Sequence, residues 1–445
     1  MHRPQRLGVE DEGHVTQLVE ADAVLTGDRA ARGDTRAHDL GARLLDAEAH
    51  RFVGRVEGNV GVEVAVPRIA PGSPDAVALL LGTAHQEGWR VRVEGAGTWL
   101  PSDAPADLAL TTRRLDRVPA VEPQDLTATA EAGIGLDQLR QQLADRGAWL
   151  AVDPPGLAGR TLGSIVATAT AGPLRQGFGP VKDHLLGVTF VTGDGRMVQS
   201  GGRVMKNVAG YDLTRLQAGG FGAFGVIVLV HLRLRALPRA DVTHVLEGSR
   251  DELTQIAEDI AAAGLTPAAL ELVSPALARR DRWVLAVRLV GSPTLVGSDE
   301  LGLGAATGGG GRFTALRAEE AHGFWMRLAE GFAVRPVTFR IGGVPAASDE
   351  LLDLLQHQVG DEWISAAPAA GAIRWTGDTT VDRLQRLRRT LAALEVPLTL
   401  ERAPWPVRTA VGHFGAYREG AGPLVAGLRR TFDPGGALVV ATDGE

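Results

Sequence analysis

The sequence predicts an α+β protein in which two α+β subdomains are followed by a separate α+β cap domain. Three observations carry this. Strand and helix periodicities alternate from about residue 60; residues 151–238 are rich in glycine and turns yet hold strand patterns; and beyond Pro238 longer amphipathic helices separate alternating strands. The expected organisation is an N-terminal extension over 1–56, a first domain over 57–238, and a cap and C-terminal domain over 239–445. A chain of 445 residues suits two or three domains of roughly 150 residues each.

Residues 1–50 carry six Arg and ten Asp/Glu with poor periodicity, and are expected to be poorly ordered or partly helical. Residues 60–67 read as a strand. In PGSPDAVALLLGTAHQEG (71–88), Ser73 is placed to cap a helix, Pro74 to open it and Gly88 to end it. WRVRVEG then alternates as a strand running into Gly95-Ala96-Gly97-Thr98. Residues 108–110 and 126–130 are short strands, and Leu136, Leu139 and Leu143 mark one face of a helix that stops at Gly147. LGVTFVTGDGRMVQSGG (186–202) reads as two strands joined by a tight turn at Gly193-Asp194-Gly195. A short helix over 211–216 precedes VIVLVHLRLR (226–235), a strand that Pro238 ends. In the third region Ser249 and Glu252 form a capping box before a helix with Leu253, Ile256 and Ile260 on one face. Strands at 283–290, 337–341 and 371–375 alternate with helices near 318–332, 348–358 and 378–394, and GLGAATGGGG (302–311) is expected to be a loop.

Composition narrows the function classes. There is no cysteine, which excludes disulfides, cysteine-ligated zinc, an iron-sulfur cluster on the chain's own ligands and a thiol nucleophile. A net charge of −7 leaves no nucleic-acid footprint. The first residues hold no apolar stretch of the signal-peptide type, and no run approaches the roughly 20 apolar residues that span a bilayer. The expected location is cytoplasmic, with any contact with the inner face of the membrane peripheral and made through partners. Of the 46 basic residues 44 are arginine; Lys182 and Lys206 are the lysines, Asn59 and Asn207 the asparagines, Tyr211 and Tyr417 the tyrosines. Three of these six rare residues fall together at Lys206, Asn207 and Tyr211.

Two kinds of glycine motif must be separated. GFGAFG (220–225) satisfies G-x-G-x-x-G, but a helix precedes it and a strand follows, the reverse of a dinucleotide fingerprint, so it reads as a backbone turn with close strand packing. Gly95-Ala96-Gly97-Thr98 directly follows a strand and precedes Trp99-Leu100-Pro101, which cannot start a long helix. Successive small residues let backbone N–H groups converge on a phosphate; an ordinary glycine hairpin is the alternative. A second glycine stretch, 156–164, lies ahead of the small-residue run 167–172. Two non-helical glycine loops in one region suit an extended diphosphate ligand, because neither obstructs the approach of the backbone.

Taken together these residues resemble the FAD-binding superfamily of the vanillyl-alcohol oxidase and p-cresol methylhydroxylase (PCMH) type. The matching order runs through VRVEGAGTWL (91–100), LTATAEAGIGLDQL (126–139), TLGSIVATATAG (161–172), GFGPVKDHLLGVTFVTGDG (177–195) and GGRVMKNVAGYDLTRLQAGGFGAFGVI (201–227). Within that superfamily VMKNVAGYDL looks most like the FAD-binding E subunit of the bacterial glycolate oxidase complex. The resemblance covers about 60–238, thins afterwards and is absent from the first 50 residues. It implies a PCMH-type FAD-binding domain of two α+β subdomains followed by an α+β cap. By position, Gly95, Ala96, Gly97 and Thr98 would hold the FAD pyrophosphate. Leu162, Gly163, Ser164 and the small residues from Ala167 to Ala169 would line the isoalloxazine and diphosphate, and Pro155 would be a further cofactor-binding residue. Gly222, Gly225, Val226 and Ile227 would lie near the adenosine end, with Lys206, Asn207 and Tyr211 ordering the loop beside the cofactor. Two positions depart from the pattern: Ser164 stands where many relatives have a second Gly, and Phe221 where they often have an acidic residue. Relatives with covalent flavin use a His of the first glycine loop, a distant His or a Cys; this loop has no His and the chain no Cys, so the FAD is expected to be non-covalent.

The resemblance further implies oxidation of glycolate or a similar 2-hydroxy acid to the 2-oxo acid. Electrons would pass from FAD to a second FAD-binding glycolate oxidase subunit and an iron-sulfur subunit. Such chemistry needs a cation for the carboxylate and a base for the hydroxyl proton. The paired histidines that complete relatives place around a divalent metal are not found among the eleven histidines, so no metal is expected. His413 in VGHFGAYRE is the candidate base, and Arg288, Arg340 and Arg374 on cap strands are candidate carboxylate cations, with Arg288 and Arg374 preferred. The alternatives are a catalytically silent flavin-bearing assembly or electron-transfer subunit, or a stand-alone FAD-linked D-lactate-type dehydrogenase.

Overall fold

The computed structural model describes residues 66–203, 211–307, 313–360, 363–414 and 421–440. Lys206, Asn207 and almost all of the strand expected at 60–67 lie outside the described residues. Among the described residues three small sheets build the N-terminal half. Strands β1 (Arg68–Ile69), β2 (Val91–Glu94) and β3 (Leu108–Thr111) form a parallel sheet in the order β1-β3-β2. The helix Pro74–Glu87 joins β1 to β2. Ser73 Oγ accepts from the Ala76 N–H at 3.1 Å and Gly88 ends the helix at φ 69°, as the sequence pattern requires. Its apolar face, Val77, Leu80, Leu81 and Ala84, is fully buried against that sheet's core.

Next come β4 (Ala120–Glu122), β5 (Thr127–Glu131), β6 (Ala148–Trp149), β7 (Leu185–Val191), β8 (Met197–Gly201), β9 (Val226–Arg233) and β10 (Arg235–Ala236). Five of them form an antiparallel sheet in the order β4-β5-β9-β7-β8, while β6 pairs with β10. Central strand β9 reads as an unbroken apolar run because both its faces are covered: Val226 and Val228 enter one core, Ile227, Val230 and Leu232 the other.

The cap is one eight-stranded antiparallel sheet drawn from residues 240–402. Its strands are β11 (Ala240–Gly248), β12 (Ala269–Val273), β13 (Trp283–Gly291), β14 (Thr314–Ala315), β15 (Val337–Gly342), β16 (Trp363–Ala367), β17 (Ala372–Gly377) and β18 (Leu398–Arg402), in the order β14-β11-β13-β12-β16-β17-β15-β18. The helices Arg250–Ala262, Ser348–Val359 and Val381–Ala393 bury their leucine and isoleucine faces against one side. The other side turns towards the first domain, where Trp99 packs with Leu277, Phe324, Leu328 and Phe332.

Two features differ from expectation. The helix Pro293–Ala306 continues through Gly302 and Gly304, part of the stretch expected to be a loop; burial of Val296 and Leu303 and the Ser292 cap offset the poor helix propensity of glycine. The chain end leaves the cap: Phe432 and Leu438 join the first-domain cores, and Val91 exchanges hydrogen bonds with Ala437 and Val439. Asp433 holds this return by accepting from the N–H groups of Ala437 (2.8 Å) and Leu438 (3.0 Å). Among the described residues no helix is long and apolar enough to cross a membrane.

Candidate functional site: a cleft of three small-residue segments

The first segment is fixed at the end of β2. Glu94 pairs with Arg68 and Arg92, each at 2.8 Å, and the Gly95 carbonyl accepts from Thr111 Oγ1 at 3.0 Å. A Cβ on Gly95 would lie 2.2 Å from Thr161 Oγ1, so only glycine lets this loop touch the second segment. The N–H groups of Ala96, Gly97 and Thr98 donate to no acceptor among the described residues.

Thr161 caps the helix Leu162–Thr168, its side chain accepting from the Ser164 N–H. A Cβ on Gly163 would come within 2.9 Å of Ala132, so the start of the helix is pressed onto the end of β5. In the third segment Gly225 (φ 136°) turns the chain into β9, where a Cβ would meet the Val191 carbonyl oxygen at 2.6 Å. The GFGAFG stretch is thus a turn with close strand packing. Phe221 packs against the His413 ring, with centroids 4.7 Å apart and the planes tilted by 32°.

These segments line one cleft. Gly95, Ala96, Gly97, Thr98, Gly163, Ser164, Ala167, Gly222, Gly225, Val226 and Ile227 all lie on its wall, together with His413, Trp99 and Arg408. Leu162 is buried in the core, and Ala169 ends its helix at φ 45° beside Gly219. Tyr211 is 92% exposed and lines neither this cleft nor its neighbour.

Two buried donors on this wall, Trp99 Nε1 and Arg408 Nε, have no partner among the described residues. Among the described residues the Arg408 guanidinium otherwise reaches the Pro101 carbonyl and Asp103 Oδ1, both at 3.3 Å, and stacks on Trp405. Unpartnered backbone N–H groups beside an under-satisfied guanidinium are the donor set a diphosphate needs. The fit with FAD therefore rests on donors left open as well as on shape. His413 is buried, with Nδ1 3.3 Å from the Leu400 carbonyl; because a carbonyl only accepts, Nδ1 carries the proton. Burial, reinforced by Arg408, pushes His413 down to about 4, so the ring is neutral at pH 7.

A second cleft lies between the 153–160 loop and the cap, with Pro155, Arg160, Arg288 and Arg374 on its wall. Arg288 forks onto Asp241 at 2.9 and 2.6 Å. Arg374 forks onto Glu401 at 2.8 and 3.2 Å and reaches back to the Ala171 carbonyl at 2.9 Å, tying cap to first domain. Burial raises Asp153 to about 6 despite the Leu174 N–H and nearby arginines. It raises Glu271, which accepts from Ser365, to about 7. Among the described residues no three acidic or histidine side chains converge as a metal centre requires.

The sequence reading did not single out Trp99, Arg408 or Arg160. Trp99 and Arg160 sit within the glycine stretches it named, but Arg408 carries no local signal, since only the fold brings it to the cleft.

Residues 67–201 match the FAD binding domain family. The chain is 39% identical over 139 residues to glycolate oxidase subunit GlcE of Escherichia coli (strain K12), covering 31% of this chain and 40% of that protein. It is 29% identical over 210 residues to glycolate oxidase subunit GlcD of Bacillus subtilis (strain 168), covering 46% and 44%. To the mitochondrial D-lactate dehydrogenase [cytochrome] of Arabidopsis thaliana it is 26% identical over 257 residues, covering 56% and 45%. The chain thus spans less than half the length of these relatives. A solved structure of alkyldihydroxyacetonephosphate synthase shares the fold, with a TM-score of 0.61 and 16% identity over 83% of this chain and 76% of that one. Residues 67–201 therefore carry an FAD-binding domain of the PCMH type.

Proposed function

We propose that this chain is the FAD-binding subunit of a glycolate oxidase-type complex that oxidises glycolate or a similar 2-hydroxy acid to the 2-oxo acid. The observation that carries the reading is the convergence of three distant small-residue segments and two orphaned buried donors on one cleft. In this reading the backbone at Gly95–Thr98, Trp99 and Arg408 take the diphosphate of a non-covalent FAD. The residues from Gly222 to Ile227 lie at its adenosine end, and Pro155, Ser164 and the helix to Thr168 flank the isoalloxazine. Bound FAD supplies the acceptor for two electrons. The second cleft adjoins the isoalloxazine end and takes the hydroxy acid. A second FAD-binding subunit and an iron-sulfur subunit receive the electrons, as the similarity to GlcE and GlcD suggests.

Two observations favour a second reading, in which the chain carries flavin for assembly or electron transfer and the partner does the substrate chemistry. Arg288 and Arg374 each face a carboxylate of their own, Asp241 and Glu401, so neither is a ready cation for a substrate carboxylate. His413 lies in the diphosphate cleft rather than the second one, which suits a positioning group better than a base. The isolated flavin-loaded chain, mixed with glycolate without oxygen, separates the two. Rapid bleaching supports the first reading; bleaching only after the partner subunit is added supports the second.

A further inference from the structure

Arg160 lines the second cleft, its partners Ser164, Thr168 and Trp99 line the first, and it is 3% exposed. Its Nε donates to Ser164 Oγ at 3.3 Å, and its Nη2 to Thr168 Oγ1 at 2.7 Å and Thr170 Oγ1 at 3.1 Å. Its Nη1 donates to the Pro155 carbonyl, and its Cζ lies 4.5 Å from the centre of the Trp99 ring. All these partners are neutral. The carboxylate whose field reaches it, Glu401, is already bonded to both Arg374 and Arg340. Burial lowers the Arg160 pKa to about 9 against the pull of Glu401, which still leaves the group protonated at neutral pH. Most of its donors are committed to neutral oxygens, so what it offers a neighbour is charge rather than an array of hydrogen bonds.

We propose that Arg160 is a fixed positive charge beside the flavin ring, stabilising the monoanion formed when bound FAD takes up two electrons and one proton, and so raising the midpoint potential. The inference rests on the FAD reading above, because Pro155, Ser164 and Thr168, which hold the guanidinium, are the residues assigned there to the isoalloxazine end. A charge held in a buried wall acts on its neighbour more strongly than the same charge in water, and charge near the ring is one of the means by which a protein tunes a flavin.

The test uses the holoprotein after its FAD content has been measured. A wild-type chain that holds no FAD refutes the FAD reading itself. With FAD bound, two readouts are taken on wild type, Arg160→Met and Arg160→Lys: the midpoint potential, and the affinity for sulfite, which adds to the oxidised ring and leaves negative charge on it. Wild type should form the sulfite adduct. Arg160→Met should weaken that adduct at least tenfold and lower the two-electron reduction equilibrium at least tenfold, which is about 30 mV. Arg160→Lys, which keeps the charge, should retain most of both. Absence of a sulfite adduct in wild type overturns the proposal without recourse to any variant. So does an Arg160→Met protein that loses FAD affinity at unchanged potential, which would move the charge to the diphosphate.

Discussion

Gly95→Ala tests whether the two glycine loops must touch. The added Cβ would sit 2.2 Å from Thr161 Oγ1 and 3.3 Å from Thr161 Cβ, so the first loop must withdraw from the helix cap that completes the cleft. Overpacking of this kind costs about 1–3 kcal/mol; at about 2 kcal/mol the FAD dissociation constant rises roughly 30-fold. The obstruction is chiefly one oxygen atom, and this makes the prediction specific. Thr161→Ala removes that atom, at a cost of about 1 kcal/mol for the lost cap on Ser164. In the double variant the remaining 3.3 Å contact to Cβ is tight but can be relieved by a small shift. FAD titration of the four apoproteins, followed by flavin fluorescence, should therefore show the double variant binding more tightly than the sum of the single losses allows. Strict additivity, or a Gly95→Ala protein that binds FAD like wild type, would refute the reasoning.

Arg408→Met should weaken FAD and ADP binding by about 1.5–3 kcal/mol, roughly 10- to 150-fold, and leave riboflavin binding unchanged, since only the first two carry the diphosphate; calorimetric titration with the three ligands checks this. Glu401→Gln should destabilise the fold by about 3–5 kcal/mol in denaturant unfolding, because it leaves the buried Arg374 facing an amide. Burial raises Glu271 from 4.5 to about 7, so its contribution to stability is complete below about pH 4.5 and is lost as pH rises through about 7. Glu271→Gln should remove that loss, gaining about 3 kcal/mol on wild type between pH 4.5 and pH 8 in parallel unfolding series.

Local chemistry made much of the fold legible. Ser73, Pro74 and Gly88 mark the helix Pro74–Glu87 because capping is decided by residues a few positions apart. The order of elements around GFGAFG was enough to read it as a turn before a strand. The glycine segments were legible as a group for the same reason: each needs close backbone approach, and small residues record that need. Arg408 and the chain end at 421–440 were not, because each reaches the first domain through contacts far away in sequence, Asp103 for the one and Val91 for the other. Arg160 was visible but unread, since nothing in a sequence of 44 arginines separates a buried uncompensated guanidinium from a solvated one. The cluster of rare residues gave a place without a role, as Tyr211 is exposed and Lys206 and Asn207 lie outside the described residues.

The central claim is that the cleft formed by Gly95–Thr98, Gly163–Ala167 and Gly222–Ile227 holds one non-covalent FAD. Titration of the apoprotein with FAD measures it most directly. The account predicts saturation at one FAD per chain, with all the yellow colour released to the supernatant on acid precipitation. Absence of saturable binding, or colour retained in the protein pellet, would contradict it.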